Sequence, residues 1–448
     1  IRGDDVSLTS YWDWEYPEPG NHLQPPEDEL AQTLGSQLRE AVGIRLRSDV
    51  PVAAYLSGGL DSSTIAALIR QIGQPDLRTF SIGFEGAAWD EGIYQKEVVN
   101  HLGIKHSHFQ CSTDAIAREF MDTIWHTEVP VLRTAAVPMK MLSARVRDEG
   151  FRVVLTGEGA DETFGGYDIF KENKIRSFWS RDPDSAFRPR LLERLYPYLG
   201  GSTSSAGAYL KAFYGCGLET PDLEWFSHLP RWQTTSQLHN FLSSEMKASV
   251  RSVESAIAPF LPGLRRQGRF NRGEYLEAKI LLPRYLLSSQ GDRMLMANSV
   301  EGRYPFLDPR VVEKALRLDP RLKMRVLEEK YALKKAVAPY LPASVVRRKK
   351  QPYRAPDIAG LVNPSPPDYL RELMSEEVVR RYGYFDPKKV GLLMRKAMSG
   401  RAVANKDNMA FVGILSTQIL HYLFVENFDR LFMFRSEDDS PERVTTGV

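Results

Sequence analysis

Between Val50 and Gly157, short apolar runs alternate with segments of helical period, and no other feature constrains the fold as strongly. VAAYL (52–56) reads as a buried strand, SSTIAALIRQIG (62–73) as a helix stopped by glycine, and RTFSIGF (78–84) as a second strand. EGIYQKEVVNHLG (91–103) is a helix ending at Gly103, and HSHFQ (106–110) is a third strand. Residues 113–127 and 136–149 are two more helices, and FRVVLTG (151–157) is a fourth strand. Strands separated by helices of about 12 residues pair side by side in parallel, with the helices on the faces. The expectation is an α/β fold with a doubly wound parallel sheet.

Around this core the pattern changes. Residues 1–25, rich in Trp, Pro and acidic side chains, read as a lead-in segment without a fold of its own. A helix is expected from Pro26 to Arg47, where Leu30, Leu34, Leu38, Ala41, Val42 and Ile44 recur near helical period. Residues 26–170 form the expected α/β core. After about residue 170 strand signals stop, and 205–215, 272–300, 308–318 and 330–341 keep helical spacing, so 171–434 is read as a helical remainder. The stripe Leu281, Leu282, Tyr285 and Leu286 reads as core. The polar tail 435–448 is expected to be flexible.

Composition excludes several classes. With 59 Lys+Arg against 57 Asp+Glu, the net charge of +2 gives no bulk field for nucleic acid or an anionic membrane. No uncharged apolar run approaches the ~20 residues of a membrane span. Neither kind of partner is expected. Cys111 and Cys216, the two cysteines, lack a CxxC partner, which suits a reducing, cytoplasmic setting. The opening IRGDDVSLTS has neither an initiator Met nor the pattern of a signal peptide, and reads as a start inside a longer polypeptide or after processing.

The sharpest chemical signal is Ser57-Gly58-Gly59-Leu60-Asp61-Ser62-Ser63, which follows the first strand and opens a helix. Glycines let backbone N–H groups approach a phosphate, hydroxyls add donors, and the helix directs its positive end at the same point. Asp61 would repel a bare phosphate but suits Mg²⁺ bridging phosphates. GxxxxGK[ST] is absent, so this is no Walker A loop. The plain alternative is a glycine turn. A second signal, Leu155-Thr156-Gly157-Glu158-Gly159-Ala160-Asp161-Glu162, ends the fourth strand, with Gly165-Gly166-Tyr167 beyond. Ligands of open α/β sheets lie outside the carboxyl ends of the strands, where both loops fall. Asp61 and Asp161 are therefore expected to converge on one metal, with Thr156 and Gly157 beside a nucleotide.

SGGLDSS together with LTGEGADETFGGY resembles the synthetase domain of glutamine-dependent asparagine synthetases, a branch of the ATP-pyrophosphatase (PP-loop) superfamily. QGDRMLMANSVEGRYPFLD (290–308) and EKYALKKAVAPYLPASVVRRKKQPYRAP (329–356) extend the similarity over roughly residues 10–430. The resemblance implies an ATP-dependent ligase that adenylates a carboxylate and lets ammonia displace AMP, giving an amide and pyrophosphate. It further implies that Leu56, Ser57, Gly58, Gly59, Asp61 and Ser62 meet the ATP. Ile82 lines its adenine side, and Thr156 and Gly157 complete the contacts. Asp61 and Asp161 are implied as Mg²⁺ carboxylates, and Lys350 as the cation on the pyrophosphate side. Glu158 matches the acid placed beside incoming ammonia; related β-lactam synthetases carry Tyr there, so Glu158 implies an external amine.

Two features depart from that family. Its glutaminase is an N-terminal domain opening on Cys, whereas Ile1 starts this chain, so a glutaminase domain or subunit is an expected partner. His126-Thr127-Glu128-Val129-Pro130 and the following VLRTAAVP replace the usual stretch near the acceptor pocket. The side chain of aspartate is the implied acceptor and ammonia, from glutamine, the amine. A secondary-metabolite carboxylate is the enzymatic alternative, and a non-catalytic ATP-binding scaffold the alternative of another class. Relatives of this kind are often dimers, so a homodimer is an expectation carried by resemblance alone.

Three groups have competing readings. Arg347-Arg348-Lys349-Lys350 is either a solvated basic face, a nucleic-acid patch, or the run that delivers Lys350 to phosphate. Asp292 and Arg293 either clamp the substrate's α-carboxylate or amine, or form a helix-face salt bridge. His101, His106 and His108 crowd together, but without cysteines or paired carboxylates at ligand spacing they make a poor zinc site.

Overall fold

The computed structural model describes residues 8–428 apart from 75, 85–90, 196–203, 352, 354, 364 and 403. The expected tail, 435–448, lies outside the described residues, as do the first seven residues of the lead-in.

Five strands form one parallel sheet in the order β3-β2-β1-β4-β5. These are β1 (Val52–Tyr55), β2 (Arg78–Phe84), β3 (Lys105–Cys111), β4 (Val153–Leu155) and β5 (Glu301–Arg303). Helices α1 (Glu27–Arg45), α2 (Leu60–Ile72), α3 (Gly92–Leu102), α4 (Thr113–Thr127) and α5 (Ala136–Asp148) occupy the expected stretches of the first half. Side chains of β1 alternate between two cores. Ala54 and Leu56 join Leu34, Ile65 and Val98 from α1, α2 and α3. Ala53 and Tyr55 join Leu142 and Val146 of α5 on the opposite face. A parallel sheet buried on both faces needs such continuous apolar strands, which is why they were conspicuous. The doubly wound architecture expected from the alternation is present.

The second half departs from expectation in one element. Residues 301–303 form a fifth strand, well beyond residue 170 where the strand signals of the sequence stop. Val153 pairs with Glu301 and Leu155 with Arg303, and Thr156 N–H donates to Arg303 O at 3.0 Å. Three half-polar residues at a sheet edge carry no alternation, so pairing with β4 creates this strand rather than local pattern. Its C-terminal end brings Tyr304 beside the loop after β4.

Arg269–Leu276, Glu277–Asp292 and Arg293–Met296 run on as one helical path, the middle portion with π geometry and Pro283 inside it. Wider turns shift the residue spacing of a face. The expected core stripe is therefore split: Leu282 is buried and Leu286 packs beside it, while Leu281 and Tyr285 fall outside that cluster. Residues 8–25 are irregular but strapped down. Trp14 is buried among Trp225, Tyr275 and Leu276, and Asp13 pairs with Lys279 at 2.8 Å.

Helix Asn405–His421 continues to Glu426, 22 residues with a mean hydropathy of 1.4 in its most apolar window. By length and composition it could cross a membrane. Half of that window is buried, with Phe411, Leu415 and Ile419 packed beside Ile116, Phe120 and Ile124 of α4, the position of a core helix.

Candidate active site

The loop after β1 is closed by its own hydroxyls. Ser57 N–H donates to Ser62 Oγ at 3.0 Å, the two serine hydroxyls lie 3.0 Å apart, and Gly59 N–H donates to Ser57 Oγ at 3.2 Å. Gly58 has φ +80°, and a Cβ there would lie 2.9 Å from Gln95 N, so the turn requires glycine. Gly59 then caps α2 in an extended conformation, leaving the helix N-terminus facing the loop. Leu56 N–H pairs with Phe80 O at 2.8 Å, and Ile82 lies half-buried farther along β2.

Because β1 and β4 are neighbours, the loop after β4 lies directly against this one. The position a Cβ would take at Gly157 is 2.9 Å from Asp61 Cβ and 3.0 Å from Ser62 N. Asp61 sits in the first turn of α2, and Asp161 in that of α6 (Ala160–Phe164). The structure brings the two carboxylates together through two lysines. Lys330 Nζ lies 2.6 Å from both Asp61 oxygens and 2.5 Å from Asp161 Oδ1. Lys350 Nζ is 2.7 Å from Asp161 Oδ2 and 3.5 Å from Asp61 Oδ2. Burial opposes ionisation of Asp161, but Lys330 and Lys350 outweigh it and hold its carboxyl at about 2. Burial likewise opposes the charge on Lys350, and Asp161 with Asp61 reverses this, leaving the ammonium well above its usual value.

Lys330 was not anticipated. It stands within EKYALKKA, where lysines at helical spacing look like a surface face. Its position follows from backbone geometry: φ is +54° at Lys330, just before helix Tyr331–Val337, a conformation costing a non-glycine residue about 1–3 kcal/mol. A Cβ at Gly166 would overlap Lys330 Cε and Asp161 Oδ1, so this glycine makes room for the pair. Glu329 anchors the neighbourhood. It meets Lys171 at 2.9 Å and accepts Lys350 N–H at 3.1 Å. Although burial raises its carboxyl, Lys171 and Lys334 pull it down to about 2.

The basic run 347–350 is divided between solvent and the pocket. Arg347 and Lys349 are exposed, whereas Arg348 and Lys350 turn inward. Arg348 donates to Gly58 O at 3.1 Å, pairs with Glu91 at 2.6 Å and stacks 4.1 Å over the Tyr94 ring. Ser57, Gly59, Asp61, Lys330, Arg348 and Lys350 line one pocket.

Glu158, near enough to feel the charges of Lys350 and Asp61, accepts a hydrogen bond from the Thr156 hydroxyl. Burial raises its carboxyl above the usual range; the Thr156 bond and Lys350 only partly offset this. Glu158 in turn helps suppress ionisation of Tyr55 and Tyr304, both already raised by burial. The Tyr55 hydroxyl is buried without a hydrogen-bond partner among the described residues.

Asp292 and Arg293 reach different partners. Asp292 accepts from Tyr304 Oη on the Glu158 side. Arg293 turns to the end of α4, 2.5 Å from Glu128 and 3.3 Å from His126 O. The histidine rings bond to hydroxyls: His106 Nδ1 to Thr79 at 2.9 Å, and His108 Nδ1 to Ser81 at 2.8 Å. Among the described residues no group of three or more His, Cys, Asp or Glu is arranged to hold a metal ion.

The asparagine synthase family model matches residues 33–422. An amidase of Penicillium rubens is 28% identical over 407 residues, covering 84% of this chain and 60% of that protein. An amidase of Gibberella zeae is 27% identical over 379 residues, covering 77% of this chain and 55% of its own length. Glutamine-hydrolysing asparagine synthetase 1 of Bacillus subtilis is 28% identical over 387 residues, covering 86% and 58%. The chain thus spans little more than half the length of these curated relatives.

Proposed function

The chain belongs to the asparagine synthase family, and from that premise we propose that it is an AMP-forming amide ligase acting on a carboxylic acid. One observation carries the reading. A glycine-serine loop at a helix N-terminus, Asp61, Asp161 and Lys350 meet at the carboxyl ends of adjacent strands, with Glu158 alongside.

In the first step a carboxylate oxygen of the acid attacks the α-phosphorus of ATP, the bond to the β-phosphate breaks, and pyrophosphate leaves from an acyl-adenylate. The uncapped N-terminal end of α2 faces the phosphate oxygens, and Arg348 keeps the Ser57–Gly59 loop in place through Gly58 O. Lys350 supplies a fixed cation where charge develops on the departing pyrophosphate. In the second step ammonia attacks the acyl carbon, the bond to AMP breaks, and a proton leaves the nitrogen. Glu158 is the proposed acceptor for that proton, because burial makes its carboxylate a stronger base than an exposed one.

Asp61 and Asp161 fit a magnesium ion in donor chemistry, being two hard, buried carboxylates facing the phosphate loop. They would hold it, and the ion would offset phosphate charge.

Aspartate is the first acceptor to test, with ammonia supplied from glutamine by a glutaminase domain or subunit. A second reading, another carboxylic acid as acceptor, is favoured by the pairing of Arg293 with Glu128 and by the fungal relatives named amidases. A silent ATP-binding scaffold would have no use for the charged set Asp61, Glu158, Asp161 and Lys350 together.

Acid-dependent exchange of labelled pyrophosphate into ATP tests the adenylation step. Exchange with aspartate, or with one member of an acid panel, supports the proposal. Exchange with no acid, even alongside a glutaminase partner, would contradict it.

A further inference from the structure

We propose that Lys330 neutralises Asp61 and Asp161 so that a divalent cation binds beside it only together with a polyphosphate. The inference rests on the reading of these aspartates as the magnesium carboxylates, and it concerns a residue that reading leaves out.

The geometry is specific. Lys330 Nζ touches both oxygens of Asp61 at 2.6 Å and Asp161 Oδ1 at 2.5 Å, and its side chain is 2% exposed. Lys350 completes the set at 2.7 Å from Asp161 Oδ2. Two carboxylates and two ammonium groups sum to zero charge. A divalent cation added to this set alone would leave two uncompensated positive charges in a largely buried pocket, where unpaired charge is expensive. Phosphate oxygens arriving with the metal reverse that balance.

Lys330 has little freedom to withdraw. Its backbone is held at φ +54° at the start of helix Tyr331–Val337, and its Cε fills the space above Gly166. Its neighbour Glu329 is pinned by Lys171 and by the backbone of Lys350. The lysine therefore stays, and an incoming metal shares the carboxylates with it. Metal and nucleotide then strengthen each other's binding by the same factor, as linkage requires. Lys330 is in this sense a positioning residue: it keeps two aspartates aligned and neutral until both partners arrive.

The test uses binding rather than turnover. Mn²⁺ binding to the nucleotide-free protein is followed by the EPR signal of free Mn²⁺, and α,β-methylene-ATP binding is titrated calorimetrically with and without Mn²⁺. In the wild type, Mn²⁺ is expected to tighten the analogue at least about tenfold, while Mn²⁺ alone binds weakly. Lys330→Gln, checked by thermal unfolding, should bind Mn²⁺ alone at least about tenfold more tightly than the wild type, with smaller coupling to the analogue. Lys330→Arg, which keeps the charge, should behave as the wild type.

If the wild type binds Mn²⁺ alone as tightly as it does with the analogue, the inference is overturned whether or not Lys330→Gln folds. Unchanged affinity for Mn²⁺ alone in folded Lys330→Gln also overturns it. The underlying reading is tested separately by Asp61→Asn. If Mn²⁺ tightens the analogue in the wild type but not in Asp61→Asn, the aspartates bind metal even where the Lys330 result is negative. If Mn²⁺ never affects the analogue, both the metal reading and the inference fall.

Discussion

Lys350 Nζ lies 2.7 Å from Asp161 Oδ2, joining residues 189 positions apart at the carboxyl end of β4. A lysine held this way is aligned before any phosphate arrives, so it loses little freedom when one does. Replacing it with Met should lower acid-dependent pyrophosphate exchange by about 10²–10³-fold, the usual loss for a donor aimed at developing charge. Steady-state exchange rates at saturating ATP check this. A change in KM for ATP alone would assign Lys350 to ground-state binding instead.

Glu158 separates the two half-reactions. Glu158→Gln keeps the acceptor for the Thr156 hydroxyl but removes the base. Pyrophosphate exchange should persist within several-fold, while amide formation drops by about 10²–10⁴. Because burial raises this carboxyl, the acid limb of the amide-forming rate should lie above the ordinary carboxylate range. Parallel loss of both half-reactions would remove Glu158 from the proton-transfer role.

Arg348 ties the phosphate loop to the segment before Lys350. With Arg348→Ala, the buried Gly58 O loses its 3.1 Å donor. An unpaired buried acceptor costs about 1–3 kcal/mol, so the expected result is roughly a tenfold rise in KM for ATP with kcat much less affected. Initial-rate kinetics against ATP measures it.

Glu162, one residue beyond Asp161, sets a pH dependence of stability. Burial and the nearby Asp161 charge raise its carboxyl to about 8, and Tyr167 Oη donates to it at 2.7 Å. A raised carboxyl contributes stability that is fully present below its unfolded value of 4.5 and is lost as pH rises through about 8. Glu162→Gln should therefore raise the unfolding temperature relative to wild type at pH 8 to 9, and the gain should vanish toward pH 4.5. On the acid side Asp161 and Glu329 act in the opposite sense. Both are depressed to about 2, so their stabilisation is present above ordinary carboxylate values and is lost as pH falls from 4.5 toward 2. Unfolding scans of both proteins across this range show whether the two limbs separate.

The sheet and the two glycine loops were legible because their signals are contiguous. An apolar run, a loop and a helix start follow one another within about 20 residues, as at Val52–Ile72. What escaped notice depends on distant partners. Glu301–Arg303 becomes a strand only because β4 offers an open edge. Lys330 becomes part of the site only because an unusual backbone angle and the bare Cα of Gly166 let it reach two aspartates. Arg348 and Lys350 share one basic run with two exposed neighbours, and charge counting treats the four alike. Arg293 was grouped with Asp292 by adjacency, yet the two side chains reach different partners, Glu128 and Tyr304.

The most direct test of the central claim supplies the protein with ATP, Mg²⁺, ¹⁵N-ammonium and aspartate, with a panel of carboxylic acids in parallel. Mass spectrometry then follows AMP, pyrophosphate and labelled amide. The account predicts one ¹⁵N-amide per AMP and per pyrophosphate, from aspartate or from one acid of the panel. ADP and phosphate in place of AMP and pyrophosphate, or no labelled amide from any acid even with a glutaminase partner present, would contradict it.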